Sequence, residues 1–160
     1  MASTKNVKNT HISRQIRELH GALIEIVSLM NRPQRDETLV QEAGIALDRA
    51  LFPLLVGIER LGPIGIVELA DRAGRDYTTV SRQVAKLETL GLVERRQSAA
   101  DRRVNEAAVT PKGKAMTDKI DAARERMALA VFANWDSHEV DELVRLMRKF
   151  ADAMGNEPEA

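Results

Sequence analysis

Cysteine is absent from this chain of 160 residues, and aromatic residues are few. The first absence excludes disulfide bonds, thiol nucleophiles and Cys-based zinc sites. The second means that Leu, Ile, Val, Ala and Met must fill the core. Long apolar runs are also missing: the longest, ALFPLLVGI over 50–58, is too short to cross a bilayer. The polar start MASTKNVKNT does not resemble a signal peptide. We therefore expect a cytoplasmic protein with no membrane partner.

Net charge is also lacking, since 24 basic residues balance 24 acidic ones, but the charges are segregated along the chain. Residues 72–103 carry eight basic residues against four acidic ones, and residues 1–35 carry six against two. Residues 36–71 and 136–160 are acidic. Local charge decides how a docking face meets its partner, so the basic segment at 72–103 favours an anionic partner. The alternative is that these charges only solvate helix faces.

The pattern over residues 69–113 tells the most about the fold and function of this chain. A short helical pattern, LADRA, meets a turn at Gly74, and a second amphipathic pattern, TTVSRQVAKLETLG, follows. Two strand-like stretches, LVERR and NEAAV, are joined by a polar hairpin that carries arginines. This order is typical of a winged helix-turn-helix, which places its second helix in the major groove of double-stranded DNA.

The whole chain is predicted to be mainly α, with a small β wing of two to three strands. We expect a disordered tail over 1–10, helical dimerisation regions over 11–35 and 111–160, and a winged helix-turn-helix DNA-binding domain over 36–110. Within that domain the recognition helix spans about 77–90 and the wing about 92–109. An apolar helical pattern over 39–60 can be interrupted near Gly44. Pro53 lies inside this stretch, so it should be kinked or broken in two.

Several helix ends are marked by local signals. Gly74 should end the first helix of the helix-turn-helix, and Asp76 should cap the second. Thr110 followed by Pro111 marks another helix start. Asp136 and Glu139 have the spacing of a capping box. This capping accounts for Glu139 without a metal, although His138 and Glu142 beside it partly resemble a zinc-protease motif.

Apolar stripes at helical spacing continue outside the winged domain. One follows the N-terminal helix at Ile12, Ile16, Leu19, Leu23, Ile26, Val27 and Met30, and another follows the last helix from Val140 to Met154. A winged domain of this size cannot cover both stripes, so a second copy of the chain is the simplest cover. The alternative is that the stripes pack within one chain. We predict a homodimer.

The candidate DNA-binding residues on the recognition helix are Thr78, Thr79, Ser81, Arg82, Gln83 and Lys86. Arg82 can pair with guanine O6 and N7 or bind a phosphate; the alternative is a surface ion pair with Asp76 or Asp101. The hydroxyl groups suit phosphates near the helix N-terminus, although one of them can instead serve as a cap. Gln83 and Lys86 are candidate base and phosphate contacts.

The wing offers Arg102 and Arg103 as DNA-binding residues. A guanidinium inserted into a narrow minor groove reads its shape and potential, and this is the role predicted for Arg103. Asp101 would orient Arg103 through an ion pair, because a carboxylate is repelled by phosphate. The alternative is that both arginines belong to a solvated turn.

These residues together resemble the MarR family of bacterial transcriptional regulators. The resemblance rests first on the wing, where Asp101, Arg103, Ala107, Val109, Thr110 and Gly113 match the family pattern. It also rests on the Leu69-Ala70 pair, on Thr79-Val80-Ser81-Arg82, and on Leu87-Glu88 followed by Gly91-Leu92-Val93. The flanking helices match in layout over nearly the whole chain.

The resemblance implies an obligate homodimer with intertwined terminal helices, each subunit offering a recognition helix and a wing to a pseudo-palindromic operator. It also implies a repressor that leaves DNA when a small aromatic or amphipathic effector binds near the dimer helices. The candidate effector-pocket residues are Ile16, His20, Leu23 and Phe52. For His20 the alternative is a hydrogen-bonded core or interface histidine.

The chain departs from the family at some positions. Ala99 replaces a frequent Pro in the wing turn, which predicts a looser wing tip, and Pro53 alters one wall of the expected pocket. The scattered His11, His20 and His138 do not match zinc-sensing relatives. We expect no metal, no cofactor, no catalytic residue and no enzymatic activity. The alternative function is a winged-helix protein-interaction module, such as an antirepressor or adaptor, that binds no operator.

Overall fold

The structure is a computed structural model that describes residues 3–156, with side chains described from residue 11 onward. It contains helices and three short strands in the order α1 (Ser3–Met30), α2 (Pro33–Ala43), α3 (Phe52–Leu61), β1 (Ile64–Gly65), α4 (Ile66–Ala73), α5 (Tyr77–Thr89), β2 (Val93–Gln97), β3 (Asn105–Val109), α6 (Pro111–Val131) and α7 (Ser137–Gly155). The predicted class, mainly α with a small β wing, is confirmed. Within the described range, no helix is both long and apolar enough to cross a membrane.

The three strands form one antiparallel sheet in the order β1-β3-β2. The β2–β3 hairpin pairs Val93 with Val109 and Gln97 with Asn105. On the other edge of β3, Ile64 of β1 pairs with Ala107. The extended piece Ile64–Gly65 thus supplies the third strand, which anchors the wing to the start of α4.

The core of the winged domain lies between α3, α4, α5 and the sheet. Its most deeply buried members are aliphatic, as the scarcity of aromatic residues requires: Leu54, Leu55, Ile58, Val80, Val84, Leu87, Leu92, Val93 and Ala107. Three of them, Val80, Val84 and Leu87, recur at helical spacing along α5. One stripe of α5 is therefore inside the protein, and the opposite stripe is exposed.

Two glycines are required by the backbone here. Gly74 ends α4 with a φ of 63°, in the left-handed region that glycine adopts without steric cost. Gly113, in the first turn of α6, lies so close to the residue before β2 that a Cβ atom there would overlap the carbonyl oxygen of Leu92. Only glycine allows α6 to start at this position.

The first helix begins earlier than the sequence predicted. It starts at Ser3 rather than near His11, so the tail expected over 1–10 is helical from Ser3 onward, and only residues 1 and 2 of it lie outside the described residues. Residues 3–10 contain no Gly or Pro. An established helix extends through such a segment because each added residue contributes a backbone hydrogen bond.

The helical stretch expected over 39–60 is divided into two helices, and the break begins at Gly44, before Pro53. The first, α2, begins at Pro33 and ends at Gly44, whose φ is 64°. The second, α3, begins at Phe52, with Pro53 in its first turn. Proline lacks a backbone N–H. In the first turn of a helix this costs no hydrogen bond, because the N–H groups there have no partner within the helix. Pro53 therefore starts a helix instead of bending one.

The chain divides into two compact units, Met1–Ile120 and Asp121–Ala160. In the second unit, Asp136 and Glu139 form the predicted capping box: the Glu139 N–H donates to Asp136 Oδ1 at 2.8 Å, and the Asp136 N–H donates to Glu139 Oε2 at 3.1 Å. The helix that follows, α7, contains no buried residue.

Candidate nucleic-acid interface

The N-terminus of the recognition helix, α5, is organised by Asp76. Its side chain accepts the Thr79 N–H at 2.9 Å and the Thr79 hydroxyl at 2.6 Å. These bonds, that of the hydroxyl first, lower the pKa of Asp76 below its ordinary value of 3.8. The predicted cap is therefore confirmed. Asp76, Tyr77 and Thr78 are all exposed, so the first turn of α5 is open to solvent.

Three of the predicted DNA-binding side chains project from the outward face of α5: Thr78, Arg82 and Lys86 are all exposed. Arg82 forms no ion pair within residues 11–156. The two acids considered as its partners are engaged elsewhere, Asp76 with Thr79 and Asp101 with Arg103. The guanidinium of Arg82 is therefore available to a ligand outside the chain.

The other three predicted residues of α5 are partly covered. The hydroxyl of Thr79 donates to the side chain of Asp76, the residue that caps α5, so this hydroxyl is engaged within the chain. The side chain of Gln83 lies against the turn of the helix-turn-helix, where its Oε1 accepts from Arg75 Nη1 at 3.0 Å. Ser81 flanks the wing, and its carbonyl oxygen accepts from Arg95. These three residues border the outward face instead of occupying its centre.

The wing turn is held by two polar side chains. Ser98 is 7% exposed, and its Oγ accepts the N–H groups of Ala100 at 3.2 Å and Asp101 at 3.4 Å. Asp101 Oδ1 accepts the Arg103 N–H at 3.0 Å and lies 3.4 Å from Arg103 Nε. The turn therefore has its own hydrogen bonds where Ala99 replaces proline. Sequence reasoning missed Ser98, although a serine directly after a strand is a common turn residue.

Both wing arginines are exposed, and the side chain of Arg103 is 93% exposed despite its contact with Asp101. An ion pair this exposed contributes little energy of its own. Its geometric effect is to hold Asp101 against the backbone of the turn while Arg103 extends from the tip. The ion pair predicted between these two residues is therefore present, and the role of Asp101 in orienting Arg103 stays a prediction.

Arg95 of β2 connects the wing to the recognition helix. Its Nη2 donates to the Ser81 carbonyl at 2.6 Å, and its backbone N–H donates to Glu88 Oε2 at 3.2 Å. Its Nε is buried without a hydrogen-bond partner in the part of the chain that the structure describes. The sequence placed Arg95 only among the basic residues of the segment, because nothing local shows which arginine turns inward.

The C-terminal end of α5 is bound by the start of α6. The Thr110 hydroxyl donates to the Gly91 carbonyl at 2.6 Å, and Lys112 Nζ donates to the Leu90 carbonyl at 2.9 Å. Thr110 Oγ1 also accepts the Gly113 N–H at 3.1 Å, which confirms it as the cap of α6. Carbonyl groups that a helix end leaves without partners are thus satisfied by the next helix.

The four candidate effector-pocket residues have different surroundings. Ile16 and His20 are exposed on α1, and Leu23 is half-buried there. Phe52 is 3% exposed and belongs to the core of the winged domain. In one chain, Phe52 therefore offers a ligand almost no surface. No three metal-ligating side chains cluster among the described residues, His20 and His138 included.

The chain is similar to known transcriptional regulators. A model of the MarR family matches residues 47–104, from just before α3 to the wing turn. The HTH-type transcriptional regulator YxaD of Bacillus subtilis is 30% identical over 106 residues, which make up 64% of this chain and 74% of YxaD.

The chain belongs to the MarR family.

Solved structures agree with this membership. A MarR family protein from Bacillus stearothermophilus superposes with a TM-score of 0.73 at 21% identity, over 90% of this chain and 98% of that one. MarR itself has a TM-score of 0.63 at 26% identity, over 85% and 96% of the two chains. The protein is therefore a MarR family transcriptional regulator, and members of this family are not enzymes.

Proposed function

We propose that this MarR family regulator is a homodimer that binds a pseudo-palindromic operator in double-stranded DNA and represses transcription until a small-molecule effector releases it. The main support is the exposure of the Arg82 and Arg103 side chains. Arg82 is exposed on the recognition helix without an ion pair in the described part of the chain, and Arg103 extends from the wing tip. Each subunit thus offers one guanidinium to a major groove and one to a minor groove.

The surrounding charge supports a nucleic-acid partner. Residues 72–103 have an excess of basic residues in a chain whose net charge is zero. Neutralising phosphates releases counterions from DNA, so the affinity should fall steeply as salt rises. Thr78 and Lys86 add phosphate contacts on either side of Arg82 along the outward face of α5.

The dimer is supported by apolar surface that a single chain leaves in water. On α1, Ile16 and Met30 are each 60% exposed, and on α7, Val144 is 64% exposed. Apolar stripes of this length are costly to leave solvated. A two-fold dimer places the same surfaces of both copies against each other, and it also presents two recognition helices to two half-sites.

The proposed effector acts by stabilising one of two arrangements of the dimer. It must bind the arrangement that does not fit DNA more tightly than the one that does. A coupling free energy of about 1–3 kcal/mol is sufficient for a tunable switch. Ile16, His20 and Leu23 remain the proposed lining on α1, with the second subunit completing the pocket. A small aromatic or amphipathic molecule suits these side chains.

The proposal is tested by fluorescence anisotropy of the purified protein with the DNA upstream of its own gene, with a shuffled duplex, and at several salt concentrations. Selective binding with a steep salt dependence supports a sequence-specific regulator. Absence of binding at low salt would overturn the proposal in favour of the protein-interaction module. Equal binding to both duplexes would contradict operator recognition at this site.

A further inference from the structure

Arg75 lies in the turn between α4 and α5 and contacts the recognition helix. Its Nη1 donates to two acceptors, the Ala50 carbonyl at 3.1 Å and Gln83 Oε1 at 3.0 Å. The contact with Gln83 is partly buried. One guanidinium nitrogen therefore joins three segments: the loop before α3, the turn, and the flank of α5.

This contact determines which end of the Gln83 amide faces away from the turn. A guanidinium carries only donors, so the amide atom against it must be the carbonyl oxygen. A flip of the amide would place donor against donor. The Nε2 group of Gln83 is therefore directed away from Arg75, and within residues 11–156 it has no hydrogen-bond partner.

The orientation has a consequence for how Gln83 reads a base. A glutamine that is free to rotate pairs with adenine through two bonds, accepting from N6 with its oxygen and donating to N7 with its nitrogen. With the oxygen held by Arg75, the nitrogen is the group left to contact DNA. In the major groove, guanine offers the acceptors O6 and N7 and thymine offers O4, whereas adenine places the N6 donor beside its N7.

We propose that Arg75 is a positioning residue that makes Gln83 a hydrogen-bond donor to one base of the operator, selecting guanine or thymine at that position against adenine and cytosine. This inference rests on the proposed function, since it specifies how the recognition helix reads its operator.

The test uses the full-length protein and selection of bound duplexes from a random DNA pool, followed by sequencing. Gln83→Glu is the main variant, because a carboxylate still accepts from Arg75 while its second oxygen replaces the donor. One operator position should change from guanine or thymine to a base that presents a donor, cytosine or adenine. The matched control is Gln41→Glu on the exposed surface of α2, which should leave the selected sequence unchanged.

Arg75→Met tests the positioning role. Once its oxygen is released, Gln83 can turn, so the same operator position should also accept adenine, and the roughly tenfold discrimination expected for one base pair should shrink there alone. Arg72→Met removes a nearby charge from the exposed end of α4 and serves as the control. Thermal unfolding of each variant shows whether it is folded.

The outcomes separate this inference from the function on which it rests. If the unaltered protein selects no sequence, the proposed function fails. If it selects a sequence that Gln83→Glu leaves unchanged, or if the position changed by Gln83→Glu was adenine in the original, the donor role of Gln83 is wrong. If Arg75→Met leaves that position as selective as before, the positioning role of Arg75 is wrong.

Discussion

Arg95 Nη2 donates to the carbonyl oxygen of Ser81 at 2.6 Å, and this bond joins the first wing strand to the recognition helix. The two residues are fourteen positions apart, and the bond is partly buried. A charged donor on a helical carbonyl is stronger than a neutral one. The pair therefore sets the distance between the two elements that are proposed to meet neighbouring grooves of DNA.

Replacing this arginine should loosen that connection. Arg95→Met removes the charged hydrogen bond and keeps much of the aliphatic side chain, so the free energy of unfolding should fall by about 1–2 kcal/mol. Urea unfolding at one fixed protein concentration measures this change. Arg96→Met, at the exposed neighbouring position of β2, is the control and should have almost no effect. Equal losses for both variants would contradict the role of Arg95.

Arg82→Ala should weaken operator binding by roughly 1–3 kcal/mol and relax the preference at one base position, because it removes a guanidinium that is directed out of the protein. Anisotropy titrations with the selected operator and with duplexes changed at single positions measure both effects. Arg72→Ala is the control, since Arg72 pairs with Glu68 on α4. Unchanged affinity and unchanged base preference would exclude Arg82 as a reading residue.

Arg103→Ala should weaken binding most when the sequences that flank the major-groove contacts are rich in A·T. Such DNA has a narrow minor groove with enhanced negative potential, which attracts an inserted arginine. The measurement compares two operators that differ only in these flanks. A similar loss on G·C-rich flanks would show that Arg103 contacts phosphate without reading groove width.

Asp76→Asn tests the cap of the recognition helix through its pH dependence. The hydroxyl and the N–H of Thr79 lower the pKa of Asp76 in the folded protein. A lowered pKa means that the stabilisation is present above the ordinary value of 3.8 and is lost as the pH falls through the folded-state value. The original protein should therefore be more stable than Asp76→Asn near neutral pH, and the difference should disappear in acid.

Denaturant midpoints measured between neutral and strongly acidic pH test this expectation. Asp71→Asn, on the exposed surface of α4, is the matched control because it removes one negative charge without removing a cap. A difference between original and Asp76→Asn that stays constant through the acidic range would show that the ionised carboxylate of Asp76 is not what stabilises α5.

Ile16→Glu should separate the proposed dimer. The side chain is 60% exposed in one chain, and burying an unpaired carboxylate in an interface is strongly unfavourable. Sedimentation at matched concentrations should show dissociation at least about tenfold more easily than in the original protein. Arg14→Glu, two residues away and nearly opposite on the helix, should remain dimeric. A monomeric original protein would contradict the dimer itself.

The sequence by itself determined the local elements of this protein. The helix caps can be predicted from the sequence because each joins residues three positions apart. This holds for Asp76, for the Thr110-Pro111 pair and for the Asp136–Glu139 box. The same holds for the buried stripe of α5 and for the break at Gly44 in the helical stretch over 39–60. The start of α1 was missed because helix propagation over 3–10 has no local signal.

Only the tertiary structure decided which polar side chains turn inward. Arg75 meets Gln83 across eight residues, and Arg95 meets Ser81 across fourteen. In the sequence, these basic residues look the same as Arg82 and Arg103, which stay exposed. The distinction arises because buried or partly buried donors must find acceptors once the chain is packed, and packing brings together carbonyl and amide groups that no local periodicity relates.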